Sequence, residues 1–590
     1  MNRYIRLLSA AAAILVMQPH NAGAQKIDPT VEVVRSYDVS LNDILKPAIP
    51  NGIEDSVSNF ARTFDYSIFD RPYSDLYEFA PYDALRIKPA DTHRYPFFTA
   101  RLGCQYPVMP TLELQFQKVT RKGLNFSLSG RHNSFWGNVP SAVSDYTVNA
   151  GKMRNDVSAD FKYVWATGEF NAGARYDYDR FSFSPADDHT TLFDRQALNF
   201  NMGLSSAHEE ENSIYYKFGM DYTRTGAGYS RPWPIASTDI EDPLSLKENA
   251  LKLGGFVGTT FDVHRVYVDI SIRYSAYDAL KDYTLGVVEF SPIYEYSYKR
   301  FTGKLGVKFG NHFGINRNAD GSVPDGNDLQ PWSNIFPDID ARMELVKNYL
   351  WLHGVIGGGN DMNSYSELLA TAPYLSPKVP LLFGSRPLET SLTLESVVFG
   401  RMAFNLSGGW CMNRNKAVFA PVFAAEKFPD GFMEPVAVAP HYMDVNRLSV
   451  NLEAFWKSAD VTTGGEFRYN WYFSPDKLAT TELPAIKARY YVRYSWKEKF
   501  IASVDFNYRS AISGSPECWY ADGTRFSTGA DPVTYSVPAI VSLDADVNYV
   551  VSKHLMVFLK AGNILNSRNQ YVPLFIEPGF NLGAGLTVTF

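Results

Sequence analysis

Long apolar runs are missing from this 590-residue chain. No window approaches the roughly 18 uninterrupted apolar residues that a membrane-spanning helix needs, so a helical transporter is excluded. Cysteine is scarce. Cys104, Cys411 and Cys518 are an odd number at wide spacing, which is neither a disulfide framework nor a metal cluster, and they read as free thiols or one incidental bridge. Signatures of catalysis are also absent: the chain has no G-x-S-x-G elbow, no H-E-x-x-H, no paired C-x-x-C and no phosphate loop. His189 beside Asp187 and Asp188 reads as part of a solvated acidic loop, and no enzyme is expected. Net charge is -7, which does not suit a partner made of nucleic acid.

Aromatic residues are plentiful, with 37 Tyr, 40 Phe and 10 Trp, yet mean hydropathy is only -0.21. That combination fits neither a disordered chain, which has few aromatics, nor one large apolar core. The first residues read as an address. Arg3 and Arg6 precede the short apolar run Leu7–Met17, and Ala22-Gly23-Ala24 has the form of a signal-peptidase site. Residues 1–24 are therefore expected to be a signal peptide, with no lipidated Cys after it.

Strict alternation dominates the remainder. Val157, Ala159, Phe161, Tyr163 and Trp165 interleave with Ser158, Asp160 and Lys162. Phe170, Ala172, Ala174, Tyr176 and Tyr178 interleave with Glu169, Asn171, Arg175 and Asp177. The pattern recurs to Phe590, with short turns alternating with long polar gaps. Strands of roughly 10–14 residues, apolar on one face, cross a bilayer at a tilt, and in lipid they must close into a barrel. The spacing predicts an all-β membrane protein: a closed antiparallel transmembrane β-barrel of about 22 strands over 94–590. Trp136, Trp165, Trp351, Trp456, Trp471 and Trp496, with Phe135 and Phe181, are read as interfacial girdles. Trp233 and Trp519 fall in loops.

The C-terminal run Ala561-Gly562-Asn563-Ile564-Leu565-Asn566, then Tyr571, Pro578-Gly579 and the alternating strand Phe580–Phe590, resembles the last two strands of TonB-dependent receptors. The resemblance covers about 94–590 and implies a 22-stranded barrel in the outer membrane of a Gram-negative bacterium. Phe590 resembles the signal read by the barrel-insertion machinery. The family also carries a lumenal plug of well over 100 residues, whereas residues 25–93 are a short irregular segment without a recognisable plug pattern. Thr30, Val31, Glu32, Val33 and Val34 loosely resemble the box that engages TonB. Phe64, Tyr66, Phe69, Tyr73, Tyr77, Phe79 and Tyr82 are interleaved with charges and punctuated by prolines, and are expected to lie in the lumen or to contact a periplasmic partner.

Two loops, 359–386 and 414–441, hold unusually many apolar residues, among them Leu368, Leu369, Leu375, Leu381, Phe419, Phe423 and Phe428. They either pack on each other and cap the barrel or mark contact sites. Asn316, Asn318 and Asp320 have the alternation of a calcium loop. Its first ligand should be Asp, however, and its twelfth position is Asn327, so no metal or cofactor is expected. The favoured functional expectation is an accessory subunit of an outer-membrane assembly, such as barrel insertion or surface-protein export. Its partners would be outer-membrane lipids and other outer-membrane proteins or lipoproteins. The alternative is a TonB-dependent or passive uptake channel for a nutrient.

Overall fold

The computed structural model describes residues 96–590, apart from 121–122, 143–146, 187–188, 207–212, 232–244, 279–283, 316–332, 378–380, 399, 424–434, 475–480, 515–518 and 521–534. The signal peptide, segment 25–93 with Thr30–Val34 and its aromatics, the calcium candidate Asn316, Asn318 and Asp320, and Phe428, Trp233 and Cys518 lie outside the described residues.

The strands in chain order are β1 (Phe98–Tyr106), β2 (Met109–Val119), β3 (Leu124–Pro140), β4 (Thr147–Trp165), β5 (Gly168–Ala186), β6 (His189–Ser206), β7 (Ile214–Arg231) and β8 (Ser245–Phe261). Next come β9 (His264–Tyr277), β10 (Thr284–Tyr298), β11 (Phe301–Ile315), β12 (Ser333–Val346), β13 (Leu350–Asp361), β14 (Gly384–Val398), β15 (Met402–Phe423) and β16 (Pro435–Lys457). The series ends with β17 (Val461–Phe473), β18 (Ile486–Trp496), β19 (Phe500–Arg509), β20 (Ile512–Gly514), β21 (Trp519–Tyr520), β22 (Tyr535–Val537), β23 (Ile540–Ser552), β24 (Leu555–Gly562) and β25 (Asn581–Thr589). Among the described residues one helix, α1 (Tyr365–Thr371), lies between β13 and β14.

Leaving aside the three short pieces β20, β21 and β22, the strands form one closed antiparallel barrel of 22. Each pairs with its neighbours in sequence, β19 pairs with β23, and β25 returns to β1. Closure is completed by the last residue. The Phe98 amide donates to the Phe590 carbonyl at 3.1 Å, and the Phe590 amide to the Phe98 carbonyl at 2.8 Å. The Phe590 ring stacks on His554 with centroids 5.5 Å apart.

Alternation sorts the two faces. Leu102, Leu128, Phe200, Leu392, Leu452 and Leu559 lie open on the outer wall, where a bilayer covers them. Their interleaved neighbours face inward and pair as ions: Arg131 with Asp156 at 2.7 Å, Lys304 with Asp338 at 2.9 Å, Arg489 with Asp505 at 2.9 Å. Tight turns close one end. Between β18 and β19, Lys497 and Glu498 both take positive φ (49° and 56°), and the Lys499 amide donates to the Trp496 carbonyl at 3.1 Å. A turn of that hand matches the twist of the flanking strands.

Two expectations change. Strands outgrow the bilayer: β15 and β16 run 22 and 23 residues, about twice what a crossing requires. Their surplus forms a hairpin beyond the rim, where Val418, Ala420, Val422, Ala437, Val438 and Ala439 are buried. The girdle is also smaller than expected. Trp136, Trp456, Trp471 and Trp496 are exposed on the outer wall, and Trp165 stacks on Tyr163 beside them. Phe135 and Phe181 instead share the parity of the inward residues and are buried. Trp351 lies two residues before inward His353, beneath the Arg342 guanidinium at 5.7 Å.

Candidate functional site

The β13–β14 connection, described over 362–377 and 381–383, turns into the barrel mouth on the long-loop side. Its start is written in a capping box. The Ser364 hydroxyl accepts from the Glu367 amide at 3.4 Å, while the Glu367 carboxylate accepts from the Ser364 amide at 3.4 Å. The helix that follows has 7 residues, too few to be stable alone in water. Packing holds it. Tyr365, Leu368, Leu369 and Ala372 recur at helical spacing and are all buried.

They join one apolar cluster with wall residues Phe181 (β5), Phe193 (β6), Ala227 (β7), Leu246 (β8), Tyr277 (β9), Leu285 and Val287 (β10). The same cluster includes Val422, Ala437, Val438 and Ala439 of the long hairpin, and Val572 and Phe575 of the β24–β25 connection. The loop thus bridges widely separated parts of the rim. Tyr374 stacks on Phe575 at 4.1 Å and meets Phe181 at 4.9 Å. Burial pushes the phenols of Tyr365 and Tyr374 far above their ordinary range.

Polar contacts fix the position of the loop. Glu248 on β8 is fully buried and accepts from the Ser366 amide at 2.6 Å and the Tyr277 hydroxyl at 3.4 Å. That hydroxyl also accepts from the Tyr365 amide at 3.3 Å. A carboxylate is thus bonded to a free amide of the first helical turn, the favourable end for negative charge. Lys252 pairs with Glu367 at 3.3 Å. On the approach to the loop, Arg273 donates to the Asn360 carbonyl at 2.6 Å and the Asn360 amide to Glu289 at 3.1 Å. On the exit, the Ser376 amide donates to the Val438 carbonyl at 2.8 Å and the Val438 amide to the Tyr374 carbonyl at 2.9 Å. Nearby, Asn363 donates to the Leu382 carbonyl at 2.8 Å, and Asn415 to that of Phe383 at 3.1 Å.

Below the loop the inner wall is ionic. Asp179 lies between Arg154 (3.3 Å) and Arg195 (3.4 Å). His353 meets Asp340 at 2.9 Å and Glu395 at 3.7 Å, and Arg342 reaches Glu395 at 2.6 Å. Among the described residues, no group of three or more His, Cys, Asp or Glu is placed to hold a metal. Cys104 is exposed and Cys411 buried, both as free thiols.

Of the loop residues singled out in the sequence, Leu368, Leu369, Leu375 and Leu381 cap the barrel from within. Phe419 packs half-buried against the same cluster, and its carbonyl accepts from the Tyr535 hydroxyl at 3.5 Å. Phe423 ends β15 in register with Pro435 and, in parallel, Tyr520. Glu248, Tyr277 and α1 were not anticipated. For α1 a signal existed, since Ser364-x-x-Glu367 before an apolar pair is a capping-box pattern.

No family model and no curated protein matches this sequence. Solved structures do match its fold. The siderophore receptor PirA from Acinetobacter baumannii superposes with a TM-score of 0.59 at 10% identity, over 84% of this chain and 80% of that one. The copper transporter OprC gives 0.57 at 13% identity, over 84% and 82%. The FrpB iron transporter from Neisseria meningitidis gives 0.61 at 10%, over 84% and 82%. The chain has the fold of these barrels, 22 antiparallel strands closed on themselves, like the TonB-dependent receptors that its terminal strands resemble.

Proposed function

We propose that this barrel is an uptake channel for a nutrient, closed at its outer mouth by α1 and the described residues beside it, 362–377. The observation that carries this reading is the docked loop itself. A short helix, unstable alone, is held on the lumenal wall by one apolar cluster and a few polar latches, so it can leave without unfolding the barrel. The ion-paired inner wall beneath it suits a watery passage. The structural neighbours are receptors and transporters, which supports uptake over the accessory subunit in barrel insertion or surface-protein export. Of the apolar loop residues that motivated the accessory reading, Leu368, Leu369, Leu375 and Leu381 are turned inward onto the chain's own wall.

The test is a reversible tether. Leu375 and Val438 are bridge partners, and a Leu375→Cys/Val438→Cys pair should form a disulfide that pins the loop. Oxidised cells should lose uptake on the minimal medium where the wild type depends on this protein, and reductant should restore it. Uptake that persists with the tether closed would sink the proposal. Deleting residues 28–36 then separates an energised channel, which would fall silent, from a passive one, which would not.

A further inference from the structure

Many charges of the inner wall form ion pairs, but Arg447 and Lys416 beside the mouth loop form none among the described residues. Arg447 on β16 alternates with the outward Leu448 and Val450 and stands in register with Cys411 of β15, which in turn faces Glu389 of β14. Its Nε is buried without a hydrogen-bond partner. Lys416 reaches the same inner face through a bulge. The β15–β16 register shifts between Asn413 and Lys416, and Asn415 takes φ of 50°. The shift turns Lys416 and buried Val418 inward. Lys416 lies within electrostatic reach of Arg447, Arg386, Asp361 and Cys411 but forms no ion pair among the described residues. The two carboxylates at this level are already held by Arg386, which bonds Asp361 at 3.3 Å and Glu389 at 2.9 Å. Among these five inner-face groups of the described residues, positive charge exceeds negative by one, and Lys416 and Arg447 are the two not bonded to a carboxylate. Removing such cations from water without a partner is costly, and an arriving anion offsets that cost.

Position adds to the charge argument. The bulge that aims Lys416 is also a latch of the mouth loop: Asn415 donates to the Phe383 carbonyl, and the Asn415 carbonyl accepts from Asn363 at 3.3 Å. We propose that Lys416 and Arg447 form a lumenal binding site for a small solute carrying a carboxylate or phosphate group. The solute engages this site directly beneath the loop that must leave. The inference rests on the uptake reading and specifies the chemistry of the cargo.

The test compares fluxes in proteoliposomes. In a background where residues 364–377 are replaced by a flexible linker, efflux of citrate and of inorganic phosphate is measured against glucose. With native Lys416 and Arg447, at least one anion should outpace glucose. Lys416→Gln/Arg447→Gln should cut the anion-to-glucose ratio about tenfold, in line with the loss of a charge-assisted hydrogen bond, and leave glucose flux unchanged. The charge-keeping pair Lys416→Arg/Arg447→Lys should retain the preference, and it serves as the reference if the neutral pair fails to assemble. Glucose flux with no anion preference, or a preference indifferent to the Gln pair, overturns the anion site while uptake stands. No flux of any solute through the loop-shortened barrel overturns the uptake reading itself.

Discussion

Leu369 gives the sharpest handle on the closed mouth. It is fully buried in the cluster that joins α1 to the wall. Leu369→Ala removes three buried carbons and leaves a cavity that the rigid wall cannot collapse around, a change that costs roughly 2–5 kcal/mol in packed cores. Undocking exposes Leu369 to water, so the cost falls on the docking equilibrium. At about 3 kcal/mol the undocked fraction rises about a hundredfold. Hydrogen exchange read by mass spectrometry reports this directly. The Leu368 and Ala372 amides, bonded to the Ser364 carbonyl at 3.0 Å and the Leu368 carbonyl at 2.8 Å, exchange when the loop leaves. Their exchange should accelerate about a hundredfold while amides of β4 and β5 stay protected. Thr371 is exposed, so Thr371→Ala should change exchange by less than about threefold, within the usual range of surface substitutions. Unchanged exchange in Leu369→Ala, or loss of protection across the whole barrel, would refute the idea that the loop docks as a separable unit.

Other consequences can be checked independently. Glu248→Ala leaves the Ser366 amide and the Tyr277 hydroxyl without their acceptor and should weaken docking by about 1–3 kcal/mol; the same exchange assay should show a smaller effect for Glu248→Gln. Leu559 is open on the lipid face, so Leu559→Arg should cost up to about 2–4 kcal/mol of barrel stability in lipid vesicles, measured by urea unfolding, whereas an unaffected midpoint would mean that this face does not meet lipid. Deleting Phe590 removes both backbone bonds to Phe98 and should lower the yield of assembled barrel in the outer membrane. In the β24–β25 connection, burial, then Glu577 and Asp544, push the Tyr571 phenol up to about 12. A raised folded value stabilises the fold below the unfolded value of about 10, and that contribution is lost as pH climbs through about 12. Tyr571→Phe should therefore flatten the decline of melting temperature between those limits.

The barrel was legible because its determinants are local and repeated. Alternation at Val157–Trp165 or Phe170–Tyr178 fixes which residues meet lipid, and the turns between such runs fix the strand count. Strand length was less legible. Alternation weakens in β15 and β16 beyond the membrane, where the consecutive residues 420–422 and 437–439 are all buried and read in sequence as an apolar loop. Inward aromatics were misread because an aromatic near a strand end is ambiguous until its parity is compared with a charged neighbour, as with Trp351 and His353. The mouth latch was beyond reach for a different reason. Glu248 and Ser366 are 118 residues apart, and nothing in either segment announces the other.

Planar-bilayer conductance tests the central claim most directly. The intact chain, reconstituted alone, should show almost no open-channel current if α1 and its flanking residues close the mouth as proposed. Replacing residues 364–377 with a flexible linker should produce stable large-conductance openings of a wide water-filled barrel. Equal conductance before and after the replacement, whether both silent or both open, would contradict the account.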